Sequence, residues 1–236
     1  MLGGPARAVN DPEFIRLIEV IGSGDEAAAA RLLDASPRLA GVRCVGGATR
    51  QAAQDWWIDE IGHYLNAGDT LLHIAAAAYA AGLVPRLVAL GADVHAANRR
   101  DAQPLHYAVD GGPGNPRFDP EAQRATISRL LAAGADPNAA DKGGTTPLHR
   151  AVRNRCAGAV EVLLAGGADQ LRDNGRGSTP MKLAGLTTGR GGSGSQAAKE
   201  QQAEIVRLLE AYGAPPASRT QGEPGRPSTR TQRVPE

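Results

Sequence analysis

The stretch Thr146-Pro147-Leu148-His149-Arg150-Ala151-Val152 returns in recognisable form along the chain and therefore determines its architecture. The other copies are Thr70-Leu71-Leu72-His73-Ile74-Ala75, Gln103-Pro104-Leu105-His106-Tyr107-Ala108 and Thr179-Pro180-Met181-Lys182-Leu183-Ala184. The four copies begin at intervals of 33, 43 and 33 residues. A motif that returns at a nearly constant interval indicates a chain built from repeated structural units.

The motif has the composition of a helix start. Thr is a favourable N-cap, and Pro suits the first helical turn because its missing N–H would have no partner there in any case. Leu148 and the small or apolar residues three and four positions later form one narrow apolar face. Small side chains on that face allow helices to pack at an interaxial distance of about 8–10 Å. The motif therefore predicts the first helix of a closely packed pair.

A second signature closes each unit. It consists of an apolar pair followed by Gly and Ala, and it occurs at residues 87–93, 130–136, 163–169 and 208–214. A Gly directly after an apolar helical pattern is a C-terminus signal for a helix. Each unit is therefore predicted to contain two helices followed by an extended finger.

The period of 33 residues and the T-P-L-H-x-A opening resemble the ankyrin repeat. The resemblance covers about residues 12–214 and is strongest over residues 66–184. It implies an all-α ankyrin-repeat solenoid and a function as a protein–protein interaction or scaffold module, with the partner held by the finger tips and inner helices. A stack of rigid units also leaves an extended concave face, which suits that function.

The repeats divide the chain into seven segments. They are a helical N-terminal capping repeat (12–45), an inserted amphipathic helix (46–65), ankyrin repeats at 66–97, 98–140, 141–172 and 173–214, and a disordered C-terminal tail (215–236). The second and fourth repeats are longer because turn-forming insertions separate their helices, at 111–120 and 189–196. The tail has almost no apolar side chains, so it cannot bury enough surface to fold.

The inserted helix at 46–65 is predicted from apolar residues at helical spacing. These residues are Trp57, Ile61, Tyr64 and Leu65. Asp55, Asp59 and His63 would then share one side of the helix, where two carboxylates and an imidazole could bind a metal or act in acid–base chemistry. A solvated helix face is the favoured interpretation, because no other ligand-rich segment accompanies them.

Three histidines occupy the same position of successive motifs: His73, His106 and His149. One repeat separates each from the next, which is too far for shared metal coordination through bonds of ~2 Å. The resemblance implies that they hydrogen-bond to the backbone within and between fingers. The glycine-rich run at 189–195 could present N–H groups to a phosphate. It lacks a Gly-Lys-Ser/Thr ending, so a flexible loop is favoured.

The composition carries little bias toward a charged partner. The chain has 26 basic and 25 acidic residues, and a net charge of +1 favours neither nucleic acid nor an anionic membrane. Cys44 and Cys156 are expected to be reduced thiols. Residues 1–10 lack the apolar core of a secretory signal, and no apolar run reaches membrane-spanning length. We therefore expect a cytoplasmic monomer without cofactor, metal or enzymatic activity.

The partner surface is predicted by laying the repeats in register. Its residues are Arg99, Arg100, Asp110, Lys142, Arg153, Asn154, Arg155, Arg176 and Leu186. Clustered Arg side chains fork onto carboxylates or phosphates, so an acidic protein segment is the expected ligand. The alternative is that these are only the solvated charges of a soluble protein.

A competing function belongs to a different class. In this second hypothesis the chain is an enzyme or a protein that binds a small anionic ligand, with a site built by the inter-helix insertions and the helix carrying Trp56 and Trp57. Loss of activity without loss of stability on substitution of Asp59 or His63 would favour this second class.

Overall fold

A computed structural model describes residues 11–113, 115, 117–186 and 196–215. The tail beyond Pro215 and the glycine-rich run at 189–195 lie outside these residues. The described chain is rich in helix, and its helices come in consecutive pairs: α1 Pro12–Gly22 and α2 Glu26–Ala35, α3 Leu71–Ala77 and α4 Leu83–Ala89, α5 Pro104–Ala108 and α6 Pro120–Ala132, α7 Pro147–Arg153 and α8 Ala157–Ala165, α9 Pro180–Ala184 and α10 Gln196–Ala211.

Each helix pair packs against its neighbours along the chain. The first helices of the pairs contact one another in the order α1, α3, α5, α7, α9, and the second helices in the order α2, α4, α6, α8, α10. Leu72, Leu105 and Leu148, which share one motif position, are fully buried between them. The hydrophobic core is therefore a continuous band along the array, in which each unit depends on the units beside it.

The fingers repeat one turn geometry. An Asx side chain accepts two backbone N–H groups in each of three fingers, at Asn98, Asp141 and Asn174. Backbone bonds join neighbouring fingers, as from the N–H of Lys142 to the Arg100 oxygen at 2.9 Å. Gly144 sits at a finger tip with φ +68°, and a Cβ there would lie 2.5 Å from the Gly175 nitrogen. Glycine is therefore required both for the left-handed backbone and for the close approach of the next finger.

The backbone hydrogen bonds predicted for the motif histidines are confirmed. Each Nε2 donates to a carbonyl oxygen of the following finger: His73 to Ala102 at 3.1 Å, His106 to Thr145 at 3.0 Å and His149 to Ser178 at 3.0 Å. Each Nδ1 accepts the backbone N–H of its own N-cap residue, Thr70, Gln103 or Thr146. This pairing requires the neutral tautomer with the proton on Nε2, so each ring joins its own helix start to the next repeat.

Replacing His149 by Ala should lower the free energy of unfolding by about 1–3 kcal/mol, because the buried N–H of Thr146 and the Ser178 oxygen both lose their partner. Urea unfolding followed by circular dichroism measures the loss. His95, which is exposed, provides the control. His95→Ala should stay within about 0.5 kcal/mol of the parent protein. Equal losses in the two variants would contradict the structural role of His149.

The prediction of an amphipathic helix at 46–65 is wrong, because this segment contains a short β-hairpin. Strand β1, Trp57–Ile58, pairs antiparallel with β2, His63–Tyr64, after a 3₁₀ turn at Gln54–Trp56. Gly62 closes the hairpin turn with φ +60°, a conformation that ends a helix. Trp, Ile and Tyr favour extended backbone, and Trp57 meets Tyr64 across the strands. The hairpin also makes the fold α-helical with a small β addition, instead of all-α.

Tyr79 ties the second repeat to the first. It follows α3 in the left-handed region, with φ 56°. Its hydroxyl donates to the carbonyl oxygen of Asp110, where the insertion of the second repeat begins, and accepts from Gln123 of α6 at 3.2 Å. Strained backbone of this kind persists where the surroundings require it. Here the surroundings are the start of the insertion, where the Tyr79 hydroxyl bonds to the Asp110 carbonyl oxygen.

Arg155 makes the equivalent contact between the third and fourth repeats. It occupies the repeat position of Tyr79, again with positive φ, 59°. Its guanidinium donates to the Leu186 oxygen at 3.2 Å and to the side chain of Gln202 in α10. Leu186 and Gln202 hold the repeat positions of Asp110 and Gln123. Both insertion-bearing repeats are thus held in the same way by the repeat before them.

Cys44 and Cys156 are free thiols, and burial raises the pKa of both to about 12, which keeps them protonated and unreactive. Of the helices formed by the described residues, none combines the length and the apolar character needed to cross a membrane.

Candidate functional site

A groove of about 1670 Å³ lies between the fingers, the inner helices α5 and α7, the hairpin and the start of the insertion in the second repeat. We call it the concave groove. Six of the predicted partner residues line it: Arg99, Arg100, Asp110, Lys142, Arg153 and Asn154. Residues from two fingers and from the C-terminal ends of two inner helices, separated in the sequence by as many as 55 positions, therefore meet on one surface.

The remaining predicted residues lie elsewhere. Arg176 is exposed on the next finger, away from the groove lining. Leu186 is 49% exposed and lines a separate cavity of about 60 Å³ beside Arg153 and Gln202. Arg155 is only 4% exposed, because its guanidinium packs against α10. Because the Arg155 side chain is buried, the prediction that it contacts a partner is wrong.

Arg150 is the centre of the groove floor, and the sequence interpretation missed it. Its Nη1 lies 3.0 Å from Asp110 and its Nη2 lies 2.9 Å from Asp141, with the Arg150 side chain 13% exposed. A signal for it was present, because Arg150 fills the variable fifth position of the motif, where Tyr107 also reaches the groove. Polar side chains at that position of an otherwise apolar helix indicate the floor of the groove.

The charge of Arg150 controls both carboxylates. Burial by itself raises the pKa of Asp110, but the Arg150 charge and the hydrogen bond from His63 outweigh it and lower the pKa overall. For Asp141, burial is again opposed by the hydrogen bond from Arg150, and the pKa is lowered. Both groups therefore stay ionised at neutral pH, and the floor is a fixed array of alternating charges.

His63 joins the hairpin to that array. Its Nδ1 lies 2.8 Å from the carbonyl oxygen of Tyr64, and its Nε2 lies 3.2 Å from Asp110. Both neighbours are acceptors, so the ring satisfies them only as an imidazolium. Burial lowers the pKa of His63, but the hydrogen bond and charge of Asp110 raise it overall. Because both ring nitrogens are engaged, His63 is not placed to act as a base or a metal ligand.

The candidate trio of Asp55, Asp59 and His63 is not assembled. The helix that would have aligned them is absent, and Asp59 accepts a hydrogen bond from Trp57 Nε1 at 2.8 Å. Across the part of the chain that the structure describes, no group of three or more His, Cys, Asp and Glu residues could hold a metal ion.

A buried network fixes the first fingers to α5. Asp69, which is fully buried, accepts from the Tyr107 hydroxyl at 2.8 Å and from Asn98 Nδ2 at 2.7 Å. The backbone N–H of Asn66 donates to its other oxygen at 2.6 Å. Burial, followed by the charge of Asp69, raises the pKa of Tyr107 well above its usual value. Since these polar groups are hydrogen-bonded to one another, the network makes the floor rigid.

The groove carries a surplus of positive charge. Six Arg and Lys residues line it, in addition to His63: Arg50, Arg99, Arg100, Lys142, Arg150 and Arg153. The two acidic lining residues, Asp110 and Asp141, are both paired with Arg150. Arg50, Arg99, Arg100, Lys142 and Arg153 are exposed at its rim. The surface offered to a ligand is therefore basic.

Comparison with known proteins supports the repeat assignment. A family model for ankyrin repeats in many copies matches residues 130–184, from the end of α6 through α9. No curated protein matches the chain. The matched segment contains the most regular copy of the motif, and the same motif, finger turn and histidine bond recur in the repeats before it. Residues 130–184 are therefore similar to ankyrin repeats, and the repeats before them share the motif and its histidine bond.

Proposed function

We propose that this protein is an interaction module that binds an acidic segment of a partner protein in the concave groove. Ankyrin repeats are generally protein-interaction modules, and their family is typically non-enzymatic. The observation that carries the finer proposal is the charge of the groove. Six Arg and Lys residues face two carboxylates, and both carboxylates are paired within the floor.

The chemistry of the rim suits carboxylates. An Arg guanidinium presents a planar fork that matches a carboxylate with two parallel hydrogen bonds. Arg100 and Lys142 lie on neighbouring fingers, whose backbones are bonded to each other, so their spacing is set before a ligand arrives. A preformed site of this kind loses little conformational freedom on binding, which favours affinity. We further propose that the helix pairs form a solenoid capped by α1 and α2, and that it acts as a cytoplasmic monomer.

Binding is favoured over catalysis by the state of the titratable groups. The ring of His63 uses both nitrogens, and Asp110 accepts from both His63 and Arg150. A general base needs a free acceptor within hydrogen-bond reach of its substrate. The side chains of the groove floor instead hydrogen-bond to one another, so they support the binding surface above them.

The test is a charge reversal at the rim. The variant Arg100→Glu, Lys142→Glu, Arg153→Glu is compared with the parent protein in capture from native lysate, followed by mass spectrometry. We expect partners of the parent protein to disappear from the variant, because glutamates at the rim repel an acidic segment and rim charges control the association rate and its salt dependence. Captured partners should also be released as salt is raised.

The control reverses three exposed cations away from the groove, Arg16, Arg129 and Lys199, and so produces the same change in net charge. This variant should retain the partners. Thermal unfolding of both variants verifies that the fold is intact. If the groove variant captures the same partners as the control, the binding surface lies elsewhere and the proposal fails.

A further inference from the structure

The hairpin end of the groove presents an aromatic surface. Tyr64 is 39% exposed, and its ring meets the Trp57 ring edge-on with 4.6 Å between centroids. Both residues line the groove, together with Pro113 from the insertion. Neither the hairpin nor the insertion belongs to the regular repeat pattern. The aromatic surface is therefore an addition to the stacked repeats, at one end of the positively charged groove.

This aromatic surface is held in place before any ligand binds. The Trp57 indole donates to Asp59 at 2.8 Å, and Asn66 donates to the Tyr64 carbonyl at 3.2 Å. The neighbouring His63 is bonded to Asp110 on the groove floor. Exposed aromatic rings with fixed orientations bind well because little side-chain entropy is lost.

We propose that Trp57, Tyr64 and Pro113 form an anchor site for one aromatic or bulky apolar side chain of the acidic segment. This proposal rests on the proposed function and specifies its ligand as an acidic segment that carries an apolar anchor. The charge of the groove favours an acidic occupant over a purely apolar one. Arg50, Arg100 and Lys142 line the same groove as the aromatic surface, so a purely apolar partner would not neutralise their charges.

The anchor should contribute strongly to affinity. Aromatic rings bury large areas and stack offset or edge-on against other rings. Burial of one such side chain corresponds to about a 10- to 100-fold gain in affinity. Acidic residues on either side of the anchor would supply the salt-dependent part of binding to Arg100 and Lys142. The two contributions are therefore separable by substitution.

The experiment selects ligands from a library of random dodecapeptides displayed on phage, with the full chain as bait. Four baits are compared: the parent protein, Tyr64→Ser, Tyr64→Phe and the control Tyr212→Ser. Tyr212 is 43% exposed in the turn after α10, which makes it a matched exposed tyrosine outside the groove. Soluble versions of the selected peptides are then measured by fluorescence anisotropy, each against a copy with its anchor replaced by Ala.

The parent protein, Tyr64→Phe and Tyr212→Ser should select acidic peptides with one aromatic or large apolar residue, and the Ala copies should bind about 10- to 100-fold more weakly. Tyr64→Ser should still select acidic peptides, without the anchor. Selection of acidic peptides lacking an anchor by the parent protein overturns the anchor site and leaves the proposed function standing. Selection of peptides that are not acidic, or no selection at all, overturns both.

Discussion

Replacing Arg150 by Met should lower the free energy of unfolding by about 3–5 kcal/mol, the range for removing one partner of a buried ion pair. The Arg150 side chain is 13% exposed, and its guanidinium is bonded to both Asp110 and Asp141. Without it, two carboxylates remain near each other in a partly dry groove floor. Chemical denaturation at pH 7 measures the loss. The lowered pKa values of Asp110 and Asp141 should also rise, because the Arg150 charge helps to hold them down.

Arg124 supplies a matched comparison. It pairs with Glu161 between α6 and α8, but the two side chains are 35% and 51% exposed. Arg124→Met should therefore lower stability by less than about 1 kcal/mol, as for other solvent-exposed ion pairs. Similar losses of unfolding free energy in the two variants would show that the Arg150 ion pairs contribute no more than a surface pair does. The groove floor would then not depend on Arg150 for its stability.

Acidification from pH 7 to pH 4 should remove about 3 kcal/mol of stability through His106 alone. Burial and the nearby Arg150 charge lower the pKa of His106 to about 4, from an ordinary value of 6.5. A lowered pKa in the folded state means that the stability is fully present above about pH 6.5 and is lost as the pH falls toward 4. Burial lowers the pKa of His73 and His149 in the same direction, which adds to the loss.

One group opposes this loss at the upper end of the window. Because the pKa of His63 is raised, its contribution to stability grows as the pH falls from 7 and is fully present below about pH 6.5. The lowered pKa values of Asp110 and Asp141 give up their contribution below the ordinary carboxyl range.

Urea unfolding at pH 7, 6, 5 and 4 checks the prediction. Replacing the exposed His95 by Gln should leave the slope of stability against pH unchanged, whereas His106→Gln should flatten it while lowering stability at pH 7. An unchanged slope in His106→Gln would assign the acid sensitivity to another group.

The repeated part of the fold could be predicted from the sequence because the same residue pattern recurs in each repeat. Thr146 and Pro147 start a helix, Leu148 buries it and His149 joins it to the next finger, and the same chemistry recurs at each copy of the motif. The six predicted residues that line the groove followed from this register. Their positions at the finger tips and at the ends of the inner helices recur from one repeat to the next.

The segment at 46–65 was predicted wrongly because it has no second copy for comparison. The apolar spacing of Trp57, Ile61 and Tyr64 fits a helix as well as a hairpin, and Gly62 decides between them. Arg155 looks like a surface cation in the sequence, and only the packing of α10 against it shows that it is buried. Long-range partners of this kind are set by tertiary contacts, which local patterns do not contain.

The contacts made by Tyr79 and Arg155 have a consequence for engineering. They fix the chain at Asp110 and Leu186, where the two insertions leave their inner helices. Because the root of each insertion is fixed by the preceding repeat, a change in length beyond it costs mainly loop-closure entropy, about 0.6 kcal/mol for each doubling. Foreign peptides grafted between Pro113 and Arg117 would therefore be displayed at the edge of the groove while the helix stack keeps its register, which makes this protein a frame for loops of chosen sequence.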